Sequence, residues 1–267
     1  MEEKQYPNHP SSARMYDYWL GGQNYFPIDQ AAADHITAQI PSAPYFAVMN
    51  RDFLRRAVQW LTANGIDQFL DLGSGIPTMN NVHETAQQIN PDARVVYVDN
   101  DPVAIAQSRN VLGTNATTAA ILADVRDTDT ILTHPETTQT LDFSRPVAVM
   151  CVSMLHFIPD TDEVHRCLQT FRDTSTTGSY LVISHGVVPE TLSEEQRKMQ
   201  LGHVQKAYQR DGFTERCLSE VAQLFTGYDL MPPGLVPLHE WHPDEQTPVH
   251  NPEYGNGMYG GIGVRRE

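Results

Sequence analysis

Short apolar runs alternate with amphipathic segments from about residue 65 to residue 208. The apolar runs predict buried strands, and the longer segments between them predict helices. The predicted strands cover residues 68–73, 94–99, 117–123, 146–153 and 179–185. The predicted helices cover residues 79–89, 102–112, 127–134, 162–173 and 193–208. This alternation is typical of an α/β fold with a mainly parallel sheet and helices on both of its faces.

The C-terminal part departs from this alternation. A helix is predicted around residues 215–225, and two strand-like segments, residues 228–238 and 259–264, follow with no helix between them. Such a pair predicts an antiparallel hairpin at the edge of the sheet. Residues 242–256, rich in proline and charge, are expected to form its long loop.

The N-terminal part is predicted to be helical. Its helices are expected from a cap at Ser11 or Ser12 to Leu20, from about residue 27 to Ile40, and from Ala43 to Asn64. Gly21-Gly22, Pro41 and Gly65 follow the three ends, as expected for residues that stop helices. We therefore expect residues 1–64 to form a helical lid that binds the acceptor, and residues 65–267 to form the catalytic α/β domain.

Two strand ends carry residues suited to a nucleoside. The run DLGSGIP occupies residues 71–77, and its turn Gly73-Ser74-Gly75 can bend sharply and let a ligand approach the backbone. The next strand ends in Asp99, which is followed by Asn100. Ligands of doubly wound sheets bind beyond the carboxyl ends of the strands, where an acid can accept hydrogen bonds from both ribose hydroxyls. We therefore expect Asp99, with Asn100, to bind a ribose.

The third strand end helps to identify the cofactor. Asp124 could accept a hydrogen bond from an exocyclic amine of adenine, and Val125 could pack on the ring; a helix N-cap or turn is the alternative role for Asp124. Thr78 stands where the dinucleotide fingerprint G-x-G-x-x-G has its third glycine. A sulfonium cofactor needs no phosphate cradle. The pattern favours S-adenosylmethionine over NAD.

Composition narrows the range of partners. The chain has 33 acidic and 18 basic residues and a net charge of −15, which disfavours a nucleic-acid partner. No stretch approaches the roughly 20 apolar residues of a membrane span. The three cysteines, Cys151, Cys167 and Cys217, are widely spaced and predict neither disulfides nor a metal site. We expect a soluble, cytoplasmic enzyme with a small-molecule partner and no metal.

The motifs together resemble those of Rossmann-like, class I S-adenosylmethionine-dependent methyltransferases. More narrowly, the chain resembles an actinobacterial methyltransferase family formerly described as a domain of unknown function. The resemblance rests on SSARMYDYWLGG at 11–22, DLGSGIPT at 71–78, VVYVDNDPVA at 95–104, ADVRD at 123–127, LHFIPD at 155–160, GSYLVISH at 178–185 and PGLVPLHEW at 233–241. It implies a seven-stranded sheet that ends in an antiparallel hairpin. It also implies contacts of Gly73, Ser74 and Gly75 with the methionyl group, of Asp99 with the ribose, of Asp124 and Val125 with adenine, and of Ser153 beside the sulfonium.

The acceptor is expected to contact the N-terminal segment. Members of the resembled family usually have GGKDNF after the first helix, whereas this chain has GGQNYF at residues 21–26, which is uncharged and aromatic. This change favours an aromatic or indole-like natural product, methylated at carbon or nitrogen. The expected acceptor-binding residues are Arg14, Tyr18, Asn24 and Phe26. The alternative is that the aromatic side chains of this segment only dock the first helix; they are Tyr16, Tyr18, Trp19, Tyr25 and Phe26.

A general base is the remaining catalytic requirement. Methyl transfer needs mainly correct positioning, but an acceptor that loses a proton benefits from a base within hydrogen-bond reach. The candidates are Asp17, Tyr25 and His156, for which a surface acid, a packing tyrosine and a core histidine are the alternative roles. Two further functions stay open at this point: a non-catalytic S-adenosylmethionine-binding protein and an NAD-dependent oxidoreductase.

Overall fold

The computed structural model describes residues 8–113, 115–208 and 212–266. The strands are β1 (Gln68–Leu72), β2 (Arg94–Asp99), β3 (Thr118–Leu122), β4 (Ala148–Val152), β5 (Tyr180–Val188), β6 (Arg216–Cys217), β7 (Asp229–Leu230), β8 (Val236–Pro237) and β9 (Met258–Val264). The helices are α1 (Ser12–Trp19), α2 (Pro27–Gln39), α3 (Ala43–Ala63), α4 (Val82–Gln87), α5 (Pro102–Leu112), α6 (Thr128–Thr133), α7 (Pro135–Thr140), α8 (Thr161–Thr174), α9 (Glu194–Tyr208) and α10 (Leu218–Gln223).

The described strands form one sheet in the order β3-β2-β1-β4-β5-β9-β7. The first five strands of this path are parallel, and β9 runs antiparallel to both β5 and β7. In the register, Leu70 of β1 lies opposite Val96 of β2 and Val149 of β4. The predicted fold class, α/β with a mainly parallel sheet and an antiparallel C-terminal edge, is confirmed. This path has the predicted seven strands, and the two-residue strands β6 and β8 pair beside it with β5 and β9, which makes nine strands among the described residues.

Both faces of the sheet are covered, which explains why its strands are apolar without alternation. Phe69 and Val95 face α3 and pack in one cluster with Phe53. Leu70 and Val96 point the other way and pack in a second cluster, which includes Val164, Leu168 and Phe171 of α8. The two clusters do not cover the carboxyl ends of the parallel strands, where a cavity opens.

The N-terminal helices begin and end close to the predicted residues. Three helices lie in the described residues before β1, and their ends fall within one or two residues of the predicted ones. The longest, α3, buries most of its length, including Met49, Phe53 and Leu61. No helix in the described ranges is both long enough and apolar enough to cross a bilayer.

Several predicted boundaries were wrong. The predicted strand 228–238 is split into β7 and β8, because Pro232-Pro233-Gly234 interrupts it and proline has no N–H to donate to a ladder. Helix α4 begins at Val82 rather than near Thr78, since Glu84 accepts a hydrogen bond from the Asn81 N–H and caps the helix there. Helix α7 was not predicted.

Candidate active site

A cavity of about 400 Å³ lies at the carboxyl ends of the parallel strands. Its strand wall is made by Asp71, the turn at 73–75, residues 98–101, Ala123, Val125 and residues 152–154. Its helical wall comes from α1, α3 and the residues around them, including Ser12, Met15, Tyr16, Trp19, Phe46, Asn50 and Arg51. Its C-terminal wall consists of His156, Phe157, residues 186–188, Gln200, Val204, Tyr208, residues 213–215, Gly257 and Met258.

The glycine turn after β1 is shaped for close approach. Gly73 and Gly75 have φ angles of +70° and +66°, in the left-handed region that favours glycine. A Cβ on Gly73 would lie 2.7 Å from the Cβ of Met154, whereas a Cβ on Gly75 would meet open space. The buried Oγ of Ser74 has no hydrogen-bond partner among the described residues. The turn therefore offers free space and an unused hydroxyl to a ligand.

Asp99 is held at the end of β2 by backbone donors. Its Oδ2 accepts from the Gly75 N–H and its Oδ1 from the Asp101 N–H, each at 2.8 Å. Burial raises the pKa of Asp99, and these two hydrogen bonds act against that rise. The carboxylate lines the cavity beside Asn100, where an acid that binds ribose hydroxyls was expected.

Two charged residues of the site were missed at the sequence level. Asp71 and Arg51 both line the cavity, and burial raises the pKa of Asp71 to about 7 although the charge of Arg51 lowers it. The Nε of Arg51 has no partner among the described residues. Opposite charges of this kind could hold the carboxylate and the ammonium group of an amino acid. Helical spacing was the available signal, since Ala47, Asn50, Arg51 and Leu54 form one face of α3 that lines the cavity.

Asp124 lies differently from expectation. Its two oxygens accept from the Arg126 side chain, at 2.9 Å to Nε and 2.6 Å to Nη2, and it does not line the cavity. These hydrogen bonds lower the pKa of the carboxyl group. Its neighbours Ala123 and Val125 do line the cavity. The segment after β3 therefore reaches the cavity, but the Asp124 carboxylate is paired with Arg126.

Ser153 begins a chain of hydrogen bonds that ends in α3. It lines the cavity with φ at +55°, and its N–H donates to the Ser184 Oγ at 2.9 Å. The Ser184 hydroxyl donates to the Asn50 Oδ1, and the Asn50 Nδ2 donates to the Tyr16 hydroxyl at 2.9 Å. Tyr16 in turn donates to the carbonyl of Ala47 at 2.9 Å. The chain fixes α1 and α3 relative to the strand end.

Two charged residues of α1, Arg14 and Asp17, which were expected in the site, do not line the cavity. The buried Arg14 guanidinium donates to Asp29 at 2.8 Å and to Asp101 at 2.9 Å. Asp17 is 1% exposed and accepts from the Thr78 hydroxyl and from the Asn24 N–H. Both side chains therefore hold α1 against neighbouring segments.

Tyr18 at the end of α1 and the loop that follows the helix also do not line the cavity. The rings of Tyr18 and Tyr25 pack edge to face with centroids 4.9 Å apart, and the Tyr18 hydroxyl donates to Asp34. Phe26 lies under the Arg14 guanidinium at 5.5 Å. Asn24 donates its backbone N–H to Asp17 at 2.7 Å. These contacts are compatible with the docking role that was considered as the alternative. Helix α1 lines the cavity with its other face, which consists of Ser12, Met15, Tyr16 and Trp19.

His156 is the predicted base that does line the cavity. It follows β4, is 8% exposed, and packs at 4.3 Å on Phe157 and at 4.8 Å on Phe213 between ring centroids. Its ring also meets that of His185 edge to face at 5.6 Å. The Nε2 of His185 accepts from Arg216, so its Nδ1 carries the proton and donates to the Gly186 carbonyl.

The strand order and the site at the strand ends define a Rossmann-like, class I S-adenosylmethionine-dependent methyltransferase. The family model for S-adenosyl methyltransferases matches residues 2–266, and the chain belongs to this family. This result decides between the functions left open: the chain is a methyltransferase, and its cofactor is S-adenosylmethionine. The open space at Gly75, the unused hydroxyl of Ser74 and the Asp99 carboxylate fit such a cofactor.

Solved structures agree with the family. A proposed methyltransferase from Thermobifida fusca YX is 39% identical, with a TM-score of 0.87 over 97% of this chain and 96% of that one. A DUF574 family protein from Streptomyces avermitilis MA-4680 is 37% identical, with a TM-score of 0.87 over 97% and 98% of the two chains. An O-methyltransferase family protein from Burkholderia thailandensis, 11% identical with a TM-score of 0.54 over 97% and 65% of the chains, shares the fold. No curated protein matches the chain.

Proposed function

We propose that this methyltransferase acts on a small aromatic acceptor, an indole-like natural product methylated at carbon or nitrogen. The observation that carries the proposal is a continuous cluster of rings in the C-terminal wall. Phe213 lies 4.8 Å from His156, 5.4 Å from Tyr208 and 5.8 Å from Phe157 between ring centroids. Aromatic faces and edges of this kind favour flat, apolar ligands.

The proposed cofactor contacts follow the strand wall. The turn Gly73-Ser74-Gly75 is assigned to the methionyl group, Asp99 and Asn100 to the ribose, Val125 to the adenine ring and Ser153 to the segment beside the sulfonium. Support comes from the presence of all of them in the wall of one cavity. Asp124 stays a candidate for the adenine amine only if it exchanges its contact with Arg126 for that group.

Bound S-adenosylmethionine supplies an electrophilic methyl group, and the protein's task is to hold the acceptor in line with it and exclude water. His156 is the proposed base, because it lines the cavity directly after β4. Its role would be to take the proton that the acceptor loses. Asp17 and Tyr25, which do not line the cavity, are no longer favoured for this role.

The proposed division of labour assigns residues 1–64 to closing the site and contacting the acceptor, and residues 65–267 to holding the cofactor. Support comes from α1 and α3, whose cavity-facing residues include Trp19 and Phe46. The acceptor contacts are reassigned from Arg14, Tyr18, Asn24 and Phe26 to this face.

Turnover with isotope-labelled S-adenosylmethionine tests the proposal. The acceptors are a panel of indoles, phenols and aromatic peptide derivatives, with aliphatic amines and alcohols as the matched control. We expect labelled product from an aromatic acceptor, and a rate lowered at least about tenfold in a His156→Gln variant that still binds S-adenosylhomocysteine. Transfer to the aliphatic compounds alone would contradict the proposal.

A further inference from the structure

The C-terminal wall carries one polar pair within its apolar and aromatic surroundings. Gln200 of α9 and Glu215, which precedes β6, both line the cavity. The Gln200 Nε2 donates to the Glu215 Oε1 at 3.2 Å, which fixes the orientation of the carboxylate. The other carboxyl oxygen, Oε2, is buried and has no hydrogen-bond partner among the described residues.

No salt bridge among the described residues includes Glu215, and the nearby Arg197 is paired with Glu220. Burial raises the pKa of Glu215, whereas Gln200 and Arg197 lower it. A cation from outside the protein would favour the ionised form of this carboxyl group.

Aromatic rings line the same wall of the cavity as Glu215. Phe213 is two residues away, and its ring stacks on Tyr208 at 5.4 Å between centroids. A carboxylate beside aromatic faces is the combination that recognises organic ammonium groups, through a charge-assisted hydrogen bond and cation–π attraction.

We propose that Glu215, oriented by Gln200, binds an ammonium group of the acceptor, so that the substrate is an aromatic amine cation rather than a neutral or acidic aromatic compound. This inference rests on the proposed function, in which the acceptor is aromatic, and it adds that the acceptor carries a positive charge. Glu215 acts here as a specificity-determining residue, and the position that receives the methyl group is elsewhere on the acceptor.

Three ligands that share an indole ring test the inference: tryptamine, 3-ethylindole and indole-3-propionate. Calorimetric titration of the full chain saturated with S-adenosylhomocysteine measures their affinities. We expect tryptamine to bind about ten- to a hundredfold more tightly than 3-ethylindole, and the propionate to bind most weakly. In Glu215→Gln, the preference for the cation should disappear, while the affinity for 3-ethylindole changes by less than about twofold.

The control is Glu195→Gln, which removes the same charge from an exposed position of α9 outside the cavity wall. Glu195→Gln should keep the full preference for tryptamine over 3-ethylindole. This result would show that the preference comes from a contact with Glu215 and not from the general attraction of an acidic protein for cations. Glu215→Lys gives a second variant, and we expect it to favour indole-3-propionate. Affinity for S-adenosylhomocysteine shows that each variant is folded.

The outcomes separate the two proposals. Equal binding of tryptamine and 3-ethylindole, or a cation preference that survives in Glu215→Gln, overturns the role of Glu215 and leaves the aromatic acceptor standing. If none of the three indoles binds the wild-type protein, the aromatic acceptor itself fails, and the inference fails with it.

Discussion

At the scale of single residues, the Asp99 carboxylate is the clearest test of the cofactor site. Its two oxygens already accept backbone N–H groups, and its remaining lone pairs can accept from ribose hydroxyls. Asp99→Asn keeps the shape but loses the charge and one acceptor. We expect affinity for S-adenosylhomocysteine to fall about ten- to a hundredfold, as measured by calorimetry. Asp92→Asn, at an exposed turn, is the control, and unchanged affinity in Asp99→Asn would refute the ribose assignment.

His185 gives the protein a pH-dependent stability. Burial lowers the pKa of His185 to about 4, from an ordinary value of 6.5. Between pH 6.5 and about pH 4, His185 is protonated in the unfolded chain but neutral in the folded chain. The free energy of unfolding therefore decreases as the pH falls through this range. His185→Gln removes that contribution and retains an acceptor for Arg216.

Urea unfolding at about pH 7.5 and about pH 4.5 measures this effect. We expect the wild-type protein to lose more free energy of unfolding between the two values than His185→Gln does. Equal losses in both proteins would show that His185 titrates normally in the folded state.

At the scale of elements, helix α1 shows what its sequence could and could not reveal. Its limits could be predicted from a serine cap and a Gly-Gly stop, but its polar residues were expected in the site. The residues that line the cavity, Met15, Tyr16 and Trp19, share a face at helical spacing, whereas Arg14 and Asp17 dock the helix. Helical periodicity predicts which residues of α1 share a face. It does not predict which face lines the cavity, because that depends on the neighbouring segments with which Arg14 and Asp17 form hydrogen bonds.

The loop after α1 is fixed by a close contact that can be tested. A Cβ on Gly22 would lie 2.1 Å from the Asp17 Oδ1. Asp17 cannot move away without breaking its hydrogen bonds with the Thr78 hydroxyl and the Asn24 N–H. We expect Gly22→Ala to lower the free energy of unfolding by about 1–3 kcal/mol. Gly202→Ala is the matched control, since Gly202 lies in α9 with open space around it and should gain about 0.5–1 kcal/mol. A neutral effect of Gly22→Ala in urea unfolding would contradict this packing.

At the scale of the whole molecule, more of the residues expected to bind the cofactor line the cavity than of those expected to bind the acceptor. The proposed cofactor wall comes from the ends of β2, β1 and β4, which are neighbours in the parallel sheet and bring Gly75, Asp99 and Ser153 into one cavity. The wall proposed to contact the acceptor joins segments far apart in the chain, such as His156, Glu215 and Met258. Their meeting depends on how α9 and β9 pack on the sheet, which local patterns do not encode.

One buried cation, Arg14, joins helices α1 and α2 to the start of α5. Arg14 of α1 contacts Asp29 of α2 and Asp101, the N-cap of α5, and all three side chains are buried. Removing a buried charge leaves its partners uncompensated, at a cost of about 3–5 kcal/mol. We expect Arg14→Met to lower the free energy of unfolding by about this amount in urea. Adding Asp101→Asn to Arg14→Met should restore part of it, because one of the two stranded charges is then gone. If the double variant is as unstable as the sum of its parts, the two residues do not interact, and the helices are held to the sheet by apolar packing instead.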